Sequence, residues 1–231
     1  MMENIAIPAL NPADTGSEAG VLEFVQKKIL SRIEKVAPAK VVSYDRVQNR
    51  AVVQILPQEI TSTGGKLQRR QMVNIPVLTL SGGGFWLGFP LQPGDVGWII
   101  AADRDISVFK QQLSEYAPNT YRKHKYDDSF FVPDRVNNYT IAEEDSGAVL
   151  ISSVDGATKV SIKGGQVTVT AANTVINAAN ATINAATTVN GDVTVNGTVT
   201  VSGDVVGGGI SLTGHVHGGV MGGSGTTGAP Q

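Results

Sequence analysis

From Val167 to Val205 the chain repeats itself, and this periodicity limits its possible folds more than any single residue does. The segment divides into VTVTAAN, TVINAAN and ATINAAT, then TVNGDV, TVNGTV and TVSGDV, three units of seven followed by three of six. In the hexads every odd position from 189 to 205 is Val or Gly, and every even position from 188 to 204 is Thr, Asn, Asp or Ser. Successive side chains of an extended strand point to opposite faces, so one face is aliphatic and the other polar. Asn190-Gly191, Asn196-Gly197 and Ser202-Gly203 are turn signals at six-residue intervals. Each hexad is therefore a short strand and a tight corner, and because six is even every unit shows its valines to the same side. In the heptads Val169, Ile176 and Ile183 keep the repeat, but an odd period flips the face unless a corner residue is absorbed.

Strands this short cannot bury their valines within one chain. Three chains wound about one axis can, each supplying one face per layer with all valines inward. That arrangement also pairs the strand edges, which would otherwise invite aggregation. A disordered Gly/Thr/Asn linker gives no reason for strict alternation, and a flat aggregating β segment gives none for the regular corners. A homotrimeric β prism is the expectation.

The rest of the chain follows a different logic. Both tryptophans, all five tyrosines and all six phenylalanines lie before residue 140, so only that part can build an ordinary globular core. Net charge is -2 over 231 residues, which gives no electrostatic footprint for a polyanion or an anionic membrane surface. The absence of cysteine excludes disulfides and thiolate metal sites. MMENIAIPALNPADTG has no basic segment followed by an apolar run, so no secretory signal is expected. No stretch approaches the ~18 apolar residues that span a bilayer. A soluble protein made in the cytoplasm is expected.

Residues 1–14 have no periodicity and are expected to form an extended arm. From Ser17 to Val36, Leu22, Val25, Ile29, Ile33 and Val36 recur at helical spacing. Thr15 or Ser17 can cap this helix, Glu18 suits its first turn, and Pro38 is expected to end it. Packing on its own domain is the expected fate of its apolar face. After Pro38 the runs AKVVSYD, RAVVQILP, QMVNIPVLTL and DVGWIIAAD are β-branched and divided by turn formers, with QPGD (92–95) as a turn. Five or so short strands in about a hundred residues imply a small closed barrel.

SGGGFWLGFP (81–90) has glycines but neither a following Lys-Ser/Thr nor a helix, so a phosphate loop is not indicated. It is expected to be a surface loop carrying Phe85, Trp86 and Phe89 toward the core or a partner. A small barrel also raises single-stranded nucleic-acid binding. Its only support is Lys66, Arg69 and Arg70 and the run Arg122, Lys123, His124 and Lys125, with no aromatics interleaved. No nucleic-acid partner is expected.

Two of the three histidines, His215 and His217, stand one residue apart in SLTGHVHGGVMGG. At i and i+2 both point to one face of an extended strand, and in the odd register that face is inward. Three chains then direct six imidazoles at one axis. Six neutral nitrogen donors in two layers of three form an octahedral cage, which suits Fe, Ni or Co better than tetrahedral Zn. Gly214, Gly218 and Gly219 let the backbones approach the axis. Imidazole must be neutral to coordinate, so such a site weakens as pH falls through the free histidine value of about 6.5.

The order of these parts resembles the central spike of a contractile-tail baseplate, from a tailed phage or tailocin. The resemblance rests on GHVHGGVMGGSGTTGAPQ (214–231), with its Gly-rich turn and TTGAP ending, and on PGDVGWIIAADRDI (93–106). It implies a mainly β protein, with an N-terminal OB-fold barrel and a short helix followed by an intertwined trimeric β-helix ending in a metal-bound tip. The implied organisation is an arm and helix over 1–38, the OB-fold domain over 39–138, the spike shaft over 139–213 and the tip over 214–231. The implied cofactor is one iron ion per trimer, favoured over Ni or Co, on six ligands from His215 and His217. The implied role is structural and not enzymatic. Such a spike is a virion component that caps the tail tube, docks on a baseplate hub through its N-terminal domain, and pierces the bacterial outer membrane on sheath contraction. Two alternatives are an OB-type nucleic-acid-binding module and a trimeric receptor-binding fibre, but the fibre would be expected to end in a loop-rich or aromatic head, and this chain ends in Gly, Thr and Ser.

Overall fold

In the computed structural model the residues described are 16–61, 64–136, 139–219 and 222–224. The expected arm over 1–14, Thr15 and the TTGAP ending lie outside them. The chain is mainly β with one short helix, and it divides into two units, residues 1–174 and 175–231. The division falls inside the segment expected to form the shaft.

Helix α1 (Glu18–Ser31) begins where the Ser17 hydroxyl accepts the Gly20 N–H at 3.1 Å, with Glu18 in its first turn. It stops earlier than the apolar spacing predicts. The Arg32 N–H turns back to the Ile29 carbonyl, and the Glu34 N–H then donates to the His124 carbonyl at 3.1 Å. Val36 and Pro38, expected at the end of the helix, belong instead to the first strand. A ladder partner distant in sequence overrides the local period. The helix also buries none of its residues, and Leu22, Val25 and Ile29 stay exposed. Its apolar face is not covered by its own domain, contrary to expectation.

Strand β1 (Val36–Asp45) alternates strictly at its start, with Ala37, Ala39 and Val41 buried and Val36 and Lys40 exposed. It pairs antiparallel with β2 (Arg50–Ile55). A short hairpin of β3 (Glu59–Ile60) and β4 (Lys66–Leu67) follows, then β5 (Met72–Pro76). A second hairpin joins β6 (Leu80–Gly82) to β7 (Phe85–Leu87). After it come β8 (Val96–Ala101) and β9 (Ser129–Pro133), a strand the sequence reading did not name.

The main sheet has the order β5-β2-β1-β8-β9, all antiparallel. It curls into a half-barrel until its edges approach. Val77, just past β5, bridges Phe131 of β9 in parallel, and the Leu78 N–H donates to the Phe131 carbonyl at 2.8 Å. Val41, Val53, Ile75, Ile99 and Phe131 are fully buried inside the curl. Gly97 is required where β8 passes β9, because a Cβ there would lie 2.2 Å from the Val132 carbonyl oxygen. The QPGD turn forms as expected. The Asp95 N–H donates to the Gln92 carbonyl at 3.0 Å, Gly94 has φ +101°, and the Val41 N–H reaches the Asp95 carbonyl.

The connection from β8 to β9 is pinned by buried charge. Asp105 and Asp128 are both almost wholly buried. Asp105 accepts from the Ser107 N–H (2.8 Å) and the Thr120 hydroxyl (2.7 Å), with Arg122 at 3.3 Å. Arg122 also donates to Asp128 at 2.8 Å. The bonds from Ser107 and Thr120, aided by Arg122, hold the Asp105 carboxyl far below the usual carboxylate range.

A separate three-stranded sheet follows, β10 (Val149–Ser152), β11 (Lys159–Lys163) and β12 (Gln166–Thr170), in that order. Its two faces differ sharply. On one, Asp145 pairs with Lys159 and accepts from the Ser161 hydroxyl at 2.9 Å. On the other, Val149, Ile162 and Val167 stand in register beside Ile151, Val160 and Val169. Five of these six are classed as exposed, Val149 at 70% and Val167 at 65%, and only Val160 is half-buried.

The carboxylate cluster yields a prediction. Asp105 is depressed when folded, so its contribution is complete above the unfolded value of about 3.9 and is lost as pH falls below it. Unfolding in denaturant, followed by the fluorescence of Trp86 and Trp98, is expected to give a stability that is flat from neutral pH to about pH 5 and falls below about pH 4. Asp105→Ala is expected to cost about 3 kcal/mol at neutral pH, by leaving buried donors and part of the Arg122 charge unpaired.

Candidate metal centre at the C-terminal tip

Residues 171–205 contain no helix or strand. The chain bends at 172, 179 and 185, then at 190–191, 196–197 and 202–203. The last three are the Asn-Gly and Ser-Gly corners read from the sequence. Among the described residues no backbone–backbone hydrogen bond joins 171–204 to another part of the chain. Valines on the aliphatic side remain open, with Val195 at 52% and Val193 at 66% exposure. Such a backbone has no ladder partner within its own chain.

Order within the chain returns at Val205. Strands β13 (Val206–Gly207) and β14 (Ile210–Ser211) form a two-residue hairpin whose central Gly208 and Gly209 have φ of +59° and +82°. Two left-handed residues in succession suit the twist of a tight hairpin, and only glycine adopts them without strain. The Leu212 N–H extends the ladder to the Val205 carbonyl at 2.8 Å. Asp204 accepts from the Thr213 N–H (3.1 Å) and hydroxyl (2.9 Å). The Ser211 hydroxyl, followed by those two Thr213 groups, lowers the Asp204 carboxyl to about 2.

The two expected ligands lie directly beyond this turn. His215 and His217 have ring centroids 5.1 Å apart and planes at 79°. Nδ1 of His215 is 2.9 Å from the Ser211 carbonyl oxygen and 3.1 Å from that of Leu212. A carbonyl only accepts, so Nδ1 carries the proton and Nε2 keeps its lone pair. This is the tautomer that metal-ligating histidines adopt when a carbonyl holds the other nitrogen. The donor chemistry fits a transition metal, but one chain gives too few donors. Among the described residues no group of three or more His, Asp or Glu side chains could hold an ion.

Other parts of the sequence reading also find their places. The cations that supported nucleic-acid binding are largely engaged with acceptors of this chain. Arg69 faces Glu34 and Glu59, Arg70 is bidentate to Asp127, and Arg122 holds Asp105 and Asp128. His124 meets Asp103, and Lys125 donates to the Arg32 carbonyl. The SGGGFWLGFP loop is the β6–β7 hairpin, with Phe85 82% and Trp86 65% exposed. Its aromatics therefore face outward and not into the core. The sequence reading missed Asp204, Ser211 and Thr213, because strict alternation placed Asp204 simply on the polar face.

Comparison with known families comes from both ends of the chain. Residues 37–134 match the phage protein Gp138 N-terminal domain, and residues 209–231 match the GpV Apex motif. No curated protein matches the chain. Both matched families are features of phage baseplate central spikes, so the resemblance drawn from the sequence holds, and a baseplate role with a baseplate partner follows from it.

Proposed function

We propose that three copies of this protein form the central spike of a contractile-tail baseplate, which caps the tail tube and pierces the bacterial outer membrane when the sheath contracts. The observation that carries the reading is the incompleteness of residues 149–205 in one chain. A sheet face of Val and Ile lies bare, and the backbone beyond it has no ladder partner. Copies of the same chain complement such a surface: three aliphatic faces turned inward would bury the side chains and supply ladder partners at once. A narrow prism of parallel ladders also bears axial force across many hydrogen bonds together.

The N-terminal unit is read as an OB-fold barrel. The order β5-β2-β1-β8-β9, closed by the parallel bridge at Val77, supports that topology. It is assigned to the hub. Residues 71–94, which include the exposed β6–β7 hairpin, carry no charge, and the α1 apolar face is uncovered. These surfaces suit an apolar protein partner better than nucleic acid. The role is structural, without catalysis.

At the tip, His215 and His217 of three copies are assigned to one metal ion, iron by the family resemblance. The ion would join the three chains where the prism ends and stop them fraying. Each chain's own part is to present the two imidazoles, His215 in the tautomer that its two carbonyl contacts set.

Two outcomes test this. Purified protein is expected to have a trimeric mass at micromolar concentration, and Val195→Asp with Val201→Asp is expected to abolish it, at several kcal/mol per buried unpaired charge. A monomeric wild type overturns the proposal. Elemental analysis is expected to give one transition-metal ion per three chains. His217→Ala should remain trimeric, because the prism forms without the tip, yet lose the metal. A metal-free wild type prepared without chelators, or full retention in His217→Ala, overturns the metal assignment.

A further inference from the structure

The orientation of His215 is fixed by its own chain, and the fixing leads back to Asp204. The β13–β14 hairpin brings residue 204 opposite residue 213. There the Asp204 carboxylate closes the open end by accepting both the Thr213 N–H and the Thr213 hydroxyl. Ser211 adds a second tie, its hydroxyl accepting the Gly214 N–H at 2.8 Å. Residues 211–214 are thereby turned so that the Ser211 and Leu212 carbonyl oxygens converge on Nδ1 of His215. Gly214 packs closely at this turn, since a Cβ there would lie 3.0 Å from the Ser211 hydroxyl.

We propose that Asp204 and Ser211 are positioning residues for the tip metal: they hold the 211–214 turn, which sets the His215 tautomer and aims its Nε2. The inference rests on the metal reading given above and deepens it. It separates Asp204 from the residue that the repeat makes its equivalent. Asp192 occupies the same place in the first hexad but lies two units before the tip. If Asp204 were only part of a polar face, the two aspartates would behave alike.

The test uses the full-length protein loaded with cobalt(II) as a probe, and measures release to excess chelator together with the visible spectrum of the bound ion. Asp204→Ala and Ser211→Ala are expected to release cobalt about 10–100-fold faster than wild type, the range seen when groups that orient a ligand are removed. Their trimeric mass should be unchanged, and their spectra should shift toward lower coordination. Asp192→Ala should match wild type, and Ser211→Thr, which keeps the hydroxyl, should restore slow release. Wild-type release rates in both Asp204→Ala and Ser211→Ala overturn the positioning role while leaving the metal assignment standing. Equal acceleration in Asp192→Ala overturns it as well, by showing a general loosening. A wild type that binds no cobalt overturns both readings together.

Discussion

The constraint on which the structure depends is the unfulfilled hydrogen-bonding and burial capacity of a chain that alternates aliphatic and polar residues between close corners. A backbone N–H or C=O removed from water must find a partner, and a continuous aliphatic face must be covered. Between 171 and 204 neither demand is met within the chain. Upstream, β10–β12 satisfy the first demand with their own ladders but leave the second open on one face. The two segments are therefore incomplete in different degrees. A self-paired sheet passes into a backbone without ladder partners in its own chain, and in the proposed trimer symmetry-related copies would supply both kinds of complement with one operation.

The N-terminal unit solves the same problem alone. Its sheet curls until Val77 reaches Phe131, so the edges that would otherwise be open are brought together. The closure needs a side-chain-free position where strands cross most tightly, at Gly97. It also needs the long β8–β9 connection to return to one place, which Asp105, Asp128 and Arg122 ensure. Among the apolar surfaces left exposed beside this sheet are the helix face and the aromatic hairpin.

Much of this was legible in the sequence where pattern and structure share a local cause. Corners at 190–191, 196–197 and 202–203 follow from Asn-Gly and Ser-Gly pairs, because those residues tolerate the required backbone whatever surrounds them. The QPGD turn was legible for the same reason. The end of α1 was not, since Val36 continues the helical spacing but is captured by Ile100 across the sheet. Strand β9 escaped because Ser-Phe-Phe-Val-Pro is short and lacks alternation, both its faces being shielded to some degree. The β10–β12 sheet carried hairpin signals at Asp155-Gly156 and Gly164-Gly165, but these preceded the exact repeat and were absorbed into the expected shaft. At the tip, the histidine pair was legible from spacing. Asp204 was not, because its role depends on the Gly208-Gly209 reversal that brings Thr213 back to it.

The reversal also explains where the two histidines sit. A hexad repeat continued from Val205 to residue 217 would add two more hexads with their valines on the same face. The glycine turn instead folds the chain back for one short hairpin, and the polar residue that would have faced solvent becomes an anchor for the returning strand. The histidines then leave the anchored turn with one imidazole already held by two carbonyls. Ordering that ring within the chain would lower the entropy that binding of the proposed metal must overcome. In the proposed trimer the repeat would supply the axis, and the hairpin that interrupts it would supply the orientation.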